Sequence, residues 1–308
     1  MKKSKIIYGL LILLITLGSV SCRENEIIAD DIDIPGLGGT GEVENDLDRW
    51  IFSNFTNEYN IEVVYRWDAA QMYSSLTTTK LVPVQYDKVT PMMAALRDVW
   101  FEPYNKVVGS DFIKLMAPKK VVLVGSPEYV NGAIKLGQAE GGRKILLLNA
   151  NNFDASDETI LRRDIQTIQH EFAHILHQTI LFDKTYQDIS AGYYDASGWH
   201  ENSNELANQR GFISSYSMSG KDEDFVEVLS MVLVYGREWY ENVVLVEAAK
   251  STEMDAVAVL NKKLSMVESY MLSAWGIRLF DNVLTGEKGL ESYVQDAVNE
   301  VVASPPTE

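Results

Sequence analysis

Apolar positions recur with two periods along this chain, and the order in which the periods appear predicts its architecture. Leu47, Trp50, Ile51 and Phe55 fall on one helical face behind Asp46 or Asp48, either of which can cap, so a first helix is expected near Asp46. Ile61 to Tyr65 reads as a strand. Thr90-Pro91 supplies an N-cap and a first-turn proline for a helix over Met92 to Trp100, with a break at Pro103. Ser110 opens a short helix to about Met116, which Pro118 stops. Val121-Val122-Leu123-Val124 and Ile145-Leu146-Leu147-Leu148 are apolar runs bounded by glycine and polar residues, hence strands. Between them Gly137-Gln138-Ala139-Glu140-Gly141-Gly142 reads as a turn; no phosphate-loop pattern follows its glycines.

A long helix is then predicted from about Asp157 to Gln178, burying Ile160, Leu161, Ile165, Ile168, Phe172, Ile175 and Leu176. Leu181 to Asn202 is a loop rich in aromatics (Tyr186, Tyr193, Tyr194, Trp199), long enough to wall a cleft. Helical patterns follow at Ser203 to Gln209, Asp222 to Tyr235, Thr252 to Trp275 and Glu287 to Val302. Strands early and helices late predict an α+β fold of two lobes with the long helix between them. No repeat is visible.

The opening residues obey neither period. Lys2, Lys3 and Lys5 precede an apolar run from Ile6 to Ile15, with Gly18, Ser19 and Ser21 before Cys22. The run is shorter than the roughly 20 residues a spanning helix needs, so 1–21 reads as a signal peptide. Cys22, the one cysteine, stands where a lipoprotein signal peptidase would cut, although Ser19 replaces the usual leucine of a lipobox; the alternative is an incidental thiol. Residues 22–45 are acidic and glycine-punctuated, a tether ahead of a folded domain over 46–308. These features point to an outer-membrane lipoprotein on the periplasmic or the outer surface, meeting the membrane through its lipid alone.

Losing the signal peptide removes three lysines and no acid, moving the formal charge from −17 to −20. Such a chain repels nucleic acid and anionic lipid. A monomer is expected.

The chemistry concentrates in His170-Glu171-Phe172-Ala173-His174. Residues on a helix advance roughly 100° each, so His170 and His174 share a face and can hold one ion, with Glu171 beside them as general base. The chain has only 4 histidines, which makes a chance HExxH a poor alternative. Zinc needs a third protein ligand and leaves its fourth position to water. Glu223 and Glu227 are four apart on the helix that Asp222 can cap: Glu223 is assigned to the metal, and Glu227 to a hydrogen bond with a ligating histidine. Two solvated acids on a helix face are the alternative. His200 is the runner-up third ligand, and Asp195, Glu201 and Glu205 are weaker rivals. His177 lies on nearly the same face as His174 and supports the site or packs. Seven residues, about 10 Å of helix, separate it from His170, too far to share an ion.

HEFAH, Ser214-Ser215-Tyr216 and Glu223-Asp224-Phe225-Val226-Glu227 together resemble the gluzincin metallopeptidases, in which a helix glutamate is third ligand and an acid four residues later supports the site. The spacing of Tyr216 and Glu223 is similar to the lethal-factor type, which implies that Tyr216 steadies the transition state; a packed loop tyrosine is the other reading. Tyr59-Asn60-Ile61-Glu62-Val63, Tyr65-Arg66-Trp67-Asp68, Ala139-Glu140-Gly141-Gly142 and His170 to Gln178 resemble the zinc-binding metallopeptidase lipoproteins of diderm gut-type bacteria. This resemblance covers most of the mature chain and implies a zincin fold acting on protein or peptide. The strand Ile145 to Asn149 is where such a fold would place the edge that pairs with an extended substrate. A catalytically weak zincin-fold surface lipoprotein that binds peptide or glycan is the competing class.

Overall fold

A computed structural model describes residues 45–68, 71, 81–130 and 133–306. The expected signal peptide, Cys22 and nearly all of the tether lie outside the described residues. No helix among those described is long and apolar enough to cross a membrane.

The chain from Asn45 onward builds a small mixed sheet and then covers it with helices. Helix α1 (Asp46–Ile51) is capped by the Asn45 side chain, which accepts the Asp48 N–H, and runs on through one π-helical turn that buries Phe55. Strand β1 (Glu62–Val64) follows. Helix α2 (Tyr86–Leu96) begins earlier than its proline predicts and contains Pro91 in its interior. An interior proline removes a backbone bond at a cost of about 3 kcal/mol. Burial of Val89, Met92, Met93 and Leu96 on one face outweighs it. The expected break at Pro103 is likewise absent: a π-turn over Arg97–Phe101 leads straight into α3 (Glu102–Val108), and the chain stays helical through the proline. Helix α4 (Ser110–Met116) ends before Pro118.

Strands β2 (Lys120–Leu123), β5 (Gly137–Glu140) and β6 (Lys144–Leu147) join β1 in the order β1-β2-β6-β5. The first three are parallel, and β5 pairs antiparallel to β6 at the edge. Two expectations are corrected here. Gly137–Glu140 is a strand, and only the residues after it turn. Because β5 covers its open side, β6 is an interior strand, so the sheet edge beside the long helix belongs to β5. A separate hairpin, β3 (Glu128–Val130) with β4 (Ala133–Lys135), precedes it.

Alternation assigns the two sheet faces. Val122, Val124, Leu146 and Leu148 form a small cluster on one. Val121, Leu123, Ile145 and Leu147 face the other and join the main core, which continues unbroken into the C-terminal helices. The two expected lobes therefore share one core.

Helix α5 (Glu158–Thr179) carries the motif; Asp157 caps it by accepting the Thr159 and Ile160 N–H groups. Six of its seven expected apolar positions are buried, and Ile160 is half-exposed. Phe172 meets Trp100 and Tyr104 edge-on at 5.2 and 5.3 Å between ring centroids, tying the helix to the N-terminal layer. After α6 (Asn204–Gln209), helix α7 (Lys221–Trp239) packs along α5. Gly236, at φ 88°, interrupts α7 just past its expected end at Tyr235. Helices α8 (Ala256–Trp275) and α9 (Leu290–Ala303) close the structure. The overall class is α+β, as the order of periods predicts.

Phe172 is fully buried in this aromatic cluster. Phe172→Ala should lower unfolding stability by about 3–5 kcal/mol in a denaturant titration.

Candidate metal centre

Helices α5 and α7 lie side by side, and their facing turns bring three donors to one point. Glu223 Oε2 lies 3.0 Å from His170 Nε2 and 3.3 Å from His174 Nε2. The donor atoms of the three residues all fall within 4.8 Å of one another, a group able to hold a metal ion. Donors of a tetrahedral zinc site with bonds near 2.1 Å stand about 3.4 Å apart, so little movement separates this arrangement from a liganded one.

The outward nitrogens explain why both Nε2 atoms face the centre. His170 Nδ1 is 2.8 Å from Glu227 Oε1, and His174 Nδ1 is 3.1 Å from His177 Nε2. Each Nδ1 is thereby occupied, and each ring is held with its Nε2 aimed inward. Glu227 is itself fixed: Gln166 Nε2 donates to Oε1 at 2.8 Å and the Ser214 hydroxyl to Oε2 at 2.6 Å.

The electrostatics call for a cation. Burial pulls the His170 imidazole down, but the Glu223 and Glu227 carboxylates beside it push it up to about 10. For Glu223, burial favours the neutral acid, yet hydrogen bonds from both imidazoles hold it far below the usual carboxylate range. A proton between buried carboxylates here stands in for positive charge. A His, His, Glu set around one point is a donor set of catalytic zinc.

Glu171 lies next to this centre with its carboxyl turned toward β5. Burial raises it, while the neighbouring imidazoles and the Ala139 main-chain N–H act the other way. The Tyr216 ring packs 5.6 Å from that of His170, with its hydroxyl beside the Glu223 carboxylate. Burial first, and then the Glu223, Glu227 and Glu171 charges, raise this phenol well above its ordinary value, keeping it a protonated donor. Trp199 meets Tyr216 edge-on at 4.8 Å. These residues open into a cleft of about 890 Å³, walled by Leu136 and Gly137 on one side and by Ala196, Trp199 and His200 on the other.

Of the predicted residues, His170, Glu171, His174, Tyr216, Glu223 and Glu227 therefore meet at one place, with His177 directly behind His174. His200 lines the cleft outside the donor group, and Asp195 instead accepts the Gly198 N–H. Neither it nor Glu201 nor Glu205 belongs to the donor group. Gln166 and Ser214 were not foreseen. Gln166 precedes His170 by one helical turn, a spacing that could have singled it out.

Asp224 is a further surprise. It is fully buried, as is Lys263 of α8, and the two side chains pair at 2.7 Å. The Tyr194 hydroxyl donates to the same carboxylate at 2.9 Å, and Lys263 also donates to the Gly211 carbonyl at 2.8 Å. This pair anchors the turn of α7 that presents Glu223.

The family described as "Putative zinc-binding metallo-peptidase" matches residues 40–280. This chain belongs to that family. It is also similar to the crystal structure of a protein from Bacteroides caccae bearing the same description. The likeness has a TM-score of 0.66 and 31% identity, covering 83% of this chain and 92% of the other. No curated protein matches. As a member of a zinc-binding metallopeptidase family with a fitting donor group, the protein takes zinc as its metal.

Two measurements test the architecture of the centre. In chelator competition Glu223→Ala should abolish zinc binding, whereas Glu227→Ala should weaken it by about 10–100-fold; the reverse result would exchange their roles. Lys263→Met should lower stability by about 3–5 kcal/mol by stranding Asp224, and adding Asp224→Asn should recover most of that loss.

Proposed function

We propose that the protein is a zinc-dependent peptidase in which Glu171 is the general base. The observation that carries this reading is a carboxylate with no metal-ligating duty, placed beside a His, His, Glu donor group at the floor of an open cleft. A metal that only stapled two helices together would need no such acid.

Zinc bound by His170, His174 and Glu223 supplies a Lewis acid that acidifies water and polarises a carbonyl. Glu171 accepts the proton of the attacking water on its carboxylate and delivers it to the leaving nitrogen, a division that suits a buried acid with a raised proton affinity. The Tyr216 hydroxyl donates to the oxyanion as the carbonyl becomes tetrahedral; it already lies at the ligand set and stays protonated. Glu227 and His177 orient the two imidazoles.

Substrate is held by the sheet edge. Just before β5, Leu136 accepts the Leu148 N–H, so alternate residues of the strand turn toward β6. The Gly137 main-chain groups and the Ala139 carbonyl turn outward, away from β6. An extended peptide can add alongside through main-chain bonds, which favours protein or peptide substrates without strict sequence choice. We further propose that the domain is the anchored part of an envelope lipoprotein, tethered through Cys22 to the outer membrane. The apolar run ahead of Cys22 and the acidic, glycine-rich stretch after it support this. Labelling with a lipid precursor should be lost in Cys22→Ser, and retention of label would overturn the anchor.

Casein and a peptide library provide the test of catalysis. Glu171→Gln should keep its zinc and lose turnover by on the order of 10²–10⁴-fold. Tyr216→Phe should lower kcat by about 10²–10³-fold with zinc retained. Zinc bound by wild type without cleavage of any peptide would favour a binding lipoprotein, and absence of zinc would remove the centre altogether.

A further inference from the structure

The general base also meets strand β5, at two of its residues. The Ala139 N–H faces the Glu171 carboxylate and favours its charged form. Gly137, two residues earlier on the same outward-facing side, lies so close to α5 that a Cβ built on it would stand 2.6 Å from Thr167 Cγ2. The same Cβ would be 3.3 Å from Glu171 Oε1 and 3.4 Å from Glu171 Cγ. The first distance is far inside van der Waals contact. Thr167 has little freedom to retreat, because it is β-branched and its hydroxyl donates to the Arg163 carbonyl at 3.0 Å. Gly137 carries no unusual φ, so backbone freedom does not explain a glycine there. The close approach does: without a side chain, the strand rests directly on the helix.

We propose that Gly137 is a positioning residue that sets the distance between the sheet edge and the motif helix, so that β5 holds the Glu171 carboxylate in place through the Ala139 N–H. This rests on the peptidase reading of Glu171. A side chain at 137 would lever β5 away from α5 at the turn just before Glu171, lengthen the Ala139 bond and release the carboxylate. The donor group would be spared: His170, His174 and Glu223 are fixed by α7 and by their own hydrogen bonds, none of which involves β5.

The severe contact is with a single methyl group, which gives a test by rescue. Thr167→Ser removes Cγ2 and keeps the hydroxyl that binds Arg163. Wild type, Gly137→Ala, Thr167→Ser and the double variant are compared for kcat, KM, zinc content and thermal midpoint. Gly137→Ala should lower kcat by about tenfold or more while zinc content and KM stay within about twofold. Its thermal midpoint should also fall, and adding Thr167→Ser should restore most of both losses, with Thr167→Ser alone as reference. An unchanged kcat in Gly137→Ala overturns the proposal. So does a loss that Thr167→Ser fails to repair, or one accompanied by loss of zinc. Should Gly137→Ala not fold, the double variant carries the same test, since relief of the methyl contact must return a folded, active protein. Wild type without peptidase activity would overturn the peptidase reading instead. The strand contact is then decided by stability alone, and additive losses of thermal midpoint in the two single variants would sink it.

Discussion

The contact on which the structure depends is the Glu223 carboxylate lying against two imidazoles between helices α5 and α7. Burying a carboxylate costs several kcal/mol unless its charge is met at close range, and here three acids are gathered in one partly closed space. Only a cation, or protons borrowed by the histidines, can hold them there. The surrounding order follows from keeping the donors aimed. Gln166 and Ser214 fix Glu227, Glu227 fixes His170, and His177 fixes His174. The remaining degree of freedom, the position of the Glu223 turn, is removed one residue later, where Asp224 is pinned by Lys263 from the far side of α7.

What could be read in the chain was what local spacing encodes. His170 and His174 must share a face if the segment is helical at all, and the apolar stripe along it makes it so. Glu223 and Glu227 follow the same rule on α7. What could not be read depends on partners far away in sequence. Gly137–Glu140 carries no run of β-branched residues, so its strand character comes from pairing with β6 across the Gly141-Gly142 turn. Pro91 marks a helix start by local rules, yet burial of Val89 and Met92 extends the helix past it. Lys263 is 39 positions beyond Asp224, and no period connects them.

The mistaken turn mattered more than its length suggests. It left β6 as the strand nearest the motif helix and so as the supposed edge. With β5 in place, the strand that borders the cleft is also the one that approaches Glu171, and a glycine in what read as a turn becomes a point of close approach between sheet and helix. The same glycine content that hides a strand from propensity is what lets the strand pack so near.

The donor group and the neighbouring Glu171 thus rest on different contacts. The ligands are set by α5 against α7, through carboxylates and imidazoles whose bonds stay within that pair and the segment before it. Glu171 instead faces β5, where the strand comes close to α5 at a residue without a side chain. Both contacts converge on one stretch of helix, Gln166 to His177, so a rigid α5 is what couples them. The aromatic cluster around Phe172 sits on the buried side of that stretch and supplies the rigidity. Carried on one helix beside His170 and His174, Glu171 keeps a fixed relation to the donor group with the fewest independent parts.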